Sequence, residues 1–173
     1  MSSMNKEIKN LVKEIKTKFE LLGEDYPKDN QAALDFNSRD IHSVLAYVKS
    51  QGFMQLSILS CVDWIKDNEF QLVFILFNWN TGIRLQVRTR IDRKNPQFNT
   101  ITSIYPGAQY YERDVHEFFG VEFIGNENSY KQLFLENWDE MPPLRKDFDS
   151  KAYSDKKYPV REYKADFSKA GDK

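Results

Sequence analysis

Cysteine and histidine are nearly missing from this chain. Cys61 is the sole cysteine, and His42 and His116 are the two histidines among 173 residues. One thiol excludes an internal disulfide and fits a reducing compartment. The scarcity also excludes a CxxC run for an iron–sulfur cluster, and no HExxH pattern offers zinc its usual helical ligands. Phosphate-cradling loops of the GxGxxG or GxxxxGKS/T kind are absent too. Neither sign of charge dominates: 25 basic against 26 acidic side chains leave a net charge of −1. No basic surface therefore offers itself to nucleic acid or anionic lipid. No apolar run approaches the ~20 residues that span a bilayer. The N-terminus, MSSMNKEIKNLVKEIKTKF, is charged where a signal peptide would be apolar. The expectation is a soluble cytosolic chain that meets a membrane only through a partner.

The length fits one domain with a sizeable core and a tail. Ile8, Leu11, Val12, Ile15, Phe19 and Leu22 recur at helical spacing, with Gly23 as a natural stop. Tyr26 to Asn30 reads as a loop and Ala32 to Phe36 as a short strand. Ser38 or Asp40 can cap a second helix that carries Ile41, Val44, Leu45 and Val48 and ends at Gly52. Phe53 to Ile65 and Phe70 to Trp79 read as strands. Asn80-Thr81-Gly82 turns the second of these into Ile83 to Ile91, which is apolar on one face and cationic on the other. This order predicts an α+β fold: helices packed on a mostly antiparallel sheet, over residues 1–148, followed by an extended C-terminal arm, 149–173.

Residues 105–148 are denser in charge. Asp92 to Gln97 is a polar loop, Pro106-Gly107 a turn, and Gln109 to Phe119 a helix with Tyr111, Val115 and Phe118 on one face. Glu112 with His116, and Arg113 with Glu117, stand at i,i+4 beside that face. Gly120 can end the helix. Val121 to Ile124 and Lys131 to Leu135 are short apolar pieces joined by a turn-rich link. Past Phe148 the chain is too polar for its own core, yet Tyr153, Tyr158, Tyr163 and Phe167 are spaced along it. It reads either as an arm that orders against another surface or as a floppy tail.

Catalytic readings find few parts. His42 reads as an exposed helix residue and Cys61 as a buried structural thiol. Glu112 and His116 have the spacing of two metal ligands, which nearby acids would have to complete. A metal-dependent hydrolase therefore stays an alternative, as does a regulatory module that binds through its aromatic tail. The structural reading of the cluster starts from its excess of acid: Glu112, Asp114 and Glu117 offer more acceptors than Arg113 can satisfy. The remainder would turn to Arg84, Arg88, Arg90, Arg145, Lys146 or a partner, because an unpaired buried carboxylate costs several kcal/mol. That favours a docking subunit over an independent enzyme.

A resemblance follows from these residues. Tyr105-Pro106-Gly107-Ala108, Glu112-Arg113-Asp114, Glu117, Phe119-Gly120, Phe123, Gly125 and Leu144-Arg145-Lys146-Asp147-Phe148 resemble the 30 kDa, or C, subunit of respiratory complex I (NADH:quinone oxidoreductase). The matching subunit of complex I-related membrane-bound nickel–iron hydrogenases belongs to the same family. The match holds in order and spacing over about forty residues, and the acid in Cys61-Val62-Asp63 and the hairpin after it also fit. His116 stands where the complex I branch has Tyr, Asn126-Glu127 replace its His-Pro, Tyr130 replaces an arginine, and Pro142-Pro143 replace another His-Pro. ERDVHEFFG and PPLRKDF look more like the hydrogenase-type branch with its sulfur-reducing relatives.

The resemblance implies a cofactor-free subunit of the hydrophilic arm, peripheral on the cytoplasmic face of a membrane. Its partners would be the large catalytic-type subunit (49 kDa or hydrogenase large subunit homologue) and the small iron–sulfur subunit. Iron–sulfur clusters, and in one branch a nickel–iron centre, would sit in those neighbours. Glu112, Arg113, Asp114, Glu117, Arg145, Lys146 and Asp147 would be interface or interface-supporting positions. Pro106, Gly107, Phe119, Gly120, Phe123 and Gly125 would shape the turn that presents them. The tail from Asp149 would wrap the large subunit.

Overall fold

The structure, a computed structural model, describes residues 3–158. Its elements are α1 (Ser3–Lys18), β1 (Gly23–Lys28), β2 (Gln31–Asp35), a 3-10 turn at Ser38–Asp40, α2 (Ile41–Ser50), β3 (Gln55–Trp64), β4 (Glu69–Asn78) and β5 (Ile83–Asp92). After these come β6 (Gln97–Asn99), α3 (Ala108–Phe119), β7 (Glu122–Ile124) and α4 (Ser150–Lys157). The main sheet has the order β1-β2-β5-β4-β3, and β6 pairs with β7 apart from it. Only the β2–β5 and β6–β7 ladders are parallel; β1–β2, β3–β4 and β4–β5 are antiparallel. The architecture is the expected α+β one.

Alternation decides which face of the sheet is covered. Phe70, Leu72, Phe74 and Leu76 of β4 pair in register with Ile91, Thr89, Val87 and Leu85 of β5, and all are buried. Ile8, Val12 and Ile15 of α1, the apolar stripe of α2, and Ala108 and Val115 of α3 share one core with this face. The alternate residues, among them Val73, Ile75, Phe77, Arg84, Arg88 and Arg90, form the opposite face, where every one is at least partly exposed.

Three local expectations are corrected. Tyr26 to Lys28 lies in β1 rather than in a loop, and Pro27 falls where the ladder slips between Asp25 and Lys28. A proline is tolerated there because β1 is, among the described residues, an edge strand. The first helix stops at Lys18, short of Gly23, because the Leu22 amide already pairs with the Asp35 carbonyl at 2.8 Å. His42 is half-buried: its Nε2 lies 3.0 Å from the Thr100 carbonyl and its ring stacks on Phe98.

Residues 149–158 also differ from the extended arm expected of them. Asp149 accepts from the Lys151 and Ala152 amides and caps α4. Tyr153 packs on Trp138 and Phe148, while Lys156 and Lys157 pair with Glu140 and Asp139. The rest of that arm, with Tyr163 and Phe167, lies outside the described residues.

Candidate functional site

The charged helix α3 and the loop that follows it make one belt. α3 starts after the exposed Pro106-Gly107 turn, which Tyr105 anchors by donating its hydroxyl to the Phe53 carbonyl at 2.8 Å. It ends at Gly120, whose φ of 75° is left-handed. A Cβ there would also stand 2.8 Å from Arg145 Nη2, so glycine is required twice over.

Glu112 is fully buried and faces inward. One carboxylate oxygen accepts from the Ile101 amide at 2.8 Å. The other accepts from Thr100 Oγ1 at 2.7 Å and Asn126 Nδ2 at 2.8 Å. The side chain therefore staples α3 to the loop before it and to the loop after β7. The β7 residue Phe123 packs against Phe98, and Gly125, with a φ of 91°, passes so near Thr100 that a Cβ would stand 3.1 Å from its methyl group. Neutral donors fill every place that a counter-cation was expected to take.

Arg113 and Glu117, one turn apart, grip the segment 131–135. Arg113 donates to the carbonyls of Lys131 and Gln132 at 3.1 and 2.7 Å. Glu117 accepts three successive amides, from Leu133, Phe134 and Leu135, at 3.0, 2.9 and 2.9 Å. Burial opposes the charge on Glu117, but the three amides and the nearby Arg113 outweigh it and hold the carboxyl below its usual range. Lys131 to Leu135 is thus a loop shaped by polar contacts, where an apolar piece of structure was expected.

His116 donates through Nδ1 to the Val121 carbonyl at 2.9 Å, and Tyr130 stands edge-on to its ring. With Glu112 saturated and His116 turned to the backbone, the two do not form half of a metal site. Among the described residues no three His, Cys, Asp or Glu side chains gather for one. The hydrolase alternative loses its geometry.

Asp114 is half-buried and, among the described residues, its side chain has neither a hydrogen bond nor an ion pair. Burial and then the Glu117 charge push its pKa up.

The segment Leu144 to Phe148 is a clasp across the C-terminal end of α3. The Leu144 amide donates to the Phe118 carbonyl at 3.0 Å, and Arg145 Nε to the Phe119 carbonyl at 2.7 Å. Arg145 thereby sits at the negative end of the helix dipole, with its guanidinium over the Phe70 ring. Arg93 completes the clasp. It binds both oxygens of Asp63 at 2.8 and 3.1 Å, and reaches Asp147 at 2.6 Å. The Lys146 amide closes on Asp63 at 2.8 Å, while the Lys146 side chain is exposed.

The structure brings all the predicted positions into this belt, but in different roles. Glu112, Arg113, Glu117, Arg145 and Asp147 are spent on the chain itself. Asp114 and Lys146 keep their charges unspent. The arginines proposed as counter-charges, Arg84, Arg88 and Arg90, are on the opposite sheet face. There Arg88 binds Asp35, and Arg90 binds Glu69 and Asp67 and lies over Trp64. Strand alternation puts them beyond the reach of α3. Asn126, Thr100 and Arg93 were missed. Arg93 is thirty positions from Asp63 in sequence, and they meet across β4, the middle strand of the β3–β4–β5 meander.

Comparison with known proteins adds the following. Residues 34–154 match the family described as respiratory-chain NADH dehydrogenase, 30 Kd subunit. The chain is 33% identical over 119 residues to the mitochondrial NADH-ubiquinone oxidoreductase 30.4 kDa subunit of Neurospora crassa, covering 68% of this chain and 41% of that protein. It is 33% identical over 96 residues to the C subunit of the NADH-quinone oxidoreductase of a Roseiflexus species, covering 55% of each. The chain thus spans about half or less of these curated relatives.

A solved chain from the membrane-bound sulfane sulfur reductase, an archaeal respiratory membrane complex, superposes with a TM-score of 0.83 at 33% identity. The match covers 94% of this chain and 98% of that one. A trypsin-resistant fragment of Nqo5 shares the fold, with a TM-score of 0.58 at 22% identity.

Proposed function

Because the chain belongs to the respiratory-chain NADH dehydrogenase 30 Kd subunit family, we propose that it is a structural subunit in the hydrophilic arm of a membrane-associated, complex I-related redox complex. In this reading it carries no cofactor and docks on the large catalytic-type subunit, near a small iron–sulfur subunit, on the cytoplasmic face. Electrons pass through those neighbours. The chain's own part is to fix a rigid polar belt against them. No helix among the described residues is long and apolar enough to cross a membrane, which agrees with a peripheral place.

One observation carries the reading. The likeness to the sulfane sulfur reductase chain extends over nearly the full length of both chains. It also favours the sulfur-reducing and hydrogenase-type branch. A subunit of an NADH:quinone oxidoreductase proper is the second reading, supported by the names of the curated relatives.

Tagging the chain in its host, capturing it in mild detergent and identifying what accompanies it by mass spectrometry tests both. A large subunit of either type, with iron–sulfur and membrane proteins, supports the subunit reading, and the identity of that large subunit selects the branch. Recovery of the chain by itself refutes the proposal.

A further inference from the structure

Among the described residues, β3 is the last strand of its sheet and pairs only with β4. Its ten residues, QLSILSCVDW, contain neither proline nor lysine, the residues that ordinarily blunt an edge. The ladder slips once, between Leu56 and Ile58, and the Ser57 carbonyl is taken by the Tyr111 hydroxyl. Apolar side chains flank this edge on both sides. Ile58, Val62 and Trp64 stand on the uncovered sheet face, each more than a third exposed. On the helix side, half-buried Phe118 touches exposed Phe134, and the amide of exposed Leu144 donates to the Phe118 carbonyl.

An unpaired acid lies on that helix side, with the exposed Lys146 at the Asp63 end of the strand. Tyr111, Asp114 and Phe118 recur along one flank of α3. Tyr111 meets β3 at Ser57, and Phe119 meets Phe70, the ladder partner of Asp63. Asp114 is therefore level with the middle of β3. It has no partner among the described residues, whereas Glu112 and Glu117 are fully satisfied.

We propose that the β3 edge is a strand-addition site, where an extended and mostly apolar segment of a neighbouring subunit pairs with the backbone of residues 55–63 and an arginine or lysine of that segment pairs with Asp114. This rests on the subunit reading above. Alternate side chains of an added strand point to opposite faces. One set covers Ile58, Val62 and Trp64, and the other covers Phe118, Phe134 and Leu144. A second copy of this chain fits worse. Symmetric antiparallel pairing of two β3 edges would bring together the two Asp114 carboxylates, each on α3 level with the middle of its strand. A cation on the segment offsets the burial and the Glu117 charge that oppose ionisation of Asp114.

The test compares the full chain alone with the complex recovered through it. The outward-facing amides of β3 exchange hydrogen about tenfold or more slowly in the complex than in the free chain. Asp114→Lys lowers recovery of the complex about thirtyfold or more, and Asp114→Asn leaves the isolated chain folded. Equal exchange in the two states, or full recovery with Asp114→Lys, overturns the site. Slow exchange of every β3 amide in the free chain also overturns it, since the chain then covers its own edge. If the wild-type chain captures no neighbour, the subunit reading fails and this inference falls with it.

Discussion

Arg93→Ala unfastens the clasp that holds the C-terminal segment. Asp63 is 2% exposed and depends on Arg93 for two hydrogen bonds and its counter-charge. Removing one partner of a buried pair leaves the other charge unsolvated, at a cost of about 3–5 kcal/mol. In a chain of this size that lowers the melting temperature by roughly 10 °C. Circular dichroism of the isolated chain at pH 7 reads the shift.

The pH dependence gives a second check on the same pair. Burial opposes ionisation of Asp63, but Arg93 and the Lys146 amide outweigh it and hold its pKa below the unfolded value. Asp147 is held low as well, chiefly by its hydrogen bond from Arg93. The pair's contribution is therefore full above the unfolded pKa near ~4. It fades as pH falls through the lower folded values, and the gap between wild type and variant closes with it. Adding Asp63→Asn to Arg93→Ala recovers much of the loss by removing the orphaned charge. A loss under ~1 kcal/mol at pH 7, or a gap that stays constant into acid, refutes the reasoning.

Other parts of the belt give shorter predictions. Gly120→Ala costs about 1–2 kcal/mol from its left-handed backbone and displaces Arg145, which denaturant unfolding measures. Glu112→Ala leaves the Ile101 amide and Asn126 without an acceptor, at about 1–3 kcal/mol each, and its melting temperature falls accordingly. Glu117→Gln removes the charged acceptor of three amides, so amides 133–135 exchange faster and trypsin cleaves sooner at Lys131. In the wild-type chain that same protection is present above the ordinary glutamate pKa and is lost as pH falls through the lowered folded value.

The elements with one dominant period were legible in the sequence. Residues 109–119 were expected to be helical and α3 is Ala108–Phe119, and the strand–turn–strand around Asn80 matches β4 and β5 within a residue or two. Elements set by distant pairing were not. β1 has no apolar alternation and exists because β2 offers it a ladder. β6 and β7 are three-residue strands that find each other across α3.

The belt shows the same division. Its residues could be picked out by type, but their partners could not. Composition pairs acids with cations, whereas Glu112 and Glu117 are satisfied largely by backbone amides and neutral side chains. Backbone donors are present at every non-proline position and leave no compositional mark. The excess of acid therefore did not require a partner surface. Asp114 is the acid of α3 for which that argument survives.

The central claim is that this chain resides in a large redox assembly. A mild-detergent extract of host membranes, resolved by size under native conditions and followed by detection of this chain, tests it most directly. The account predicts that the chain migrates with the large and iron–sulfur subunits in a high-mass fraction, and that Asp114→Lys moves it out of that fraction. Migration of the wild-type chain at the size of the free polypeptide, with the redox subunits elsewhere, would contradict the account.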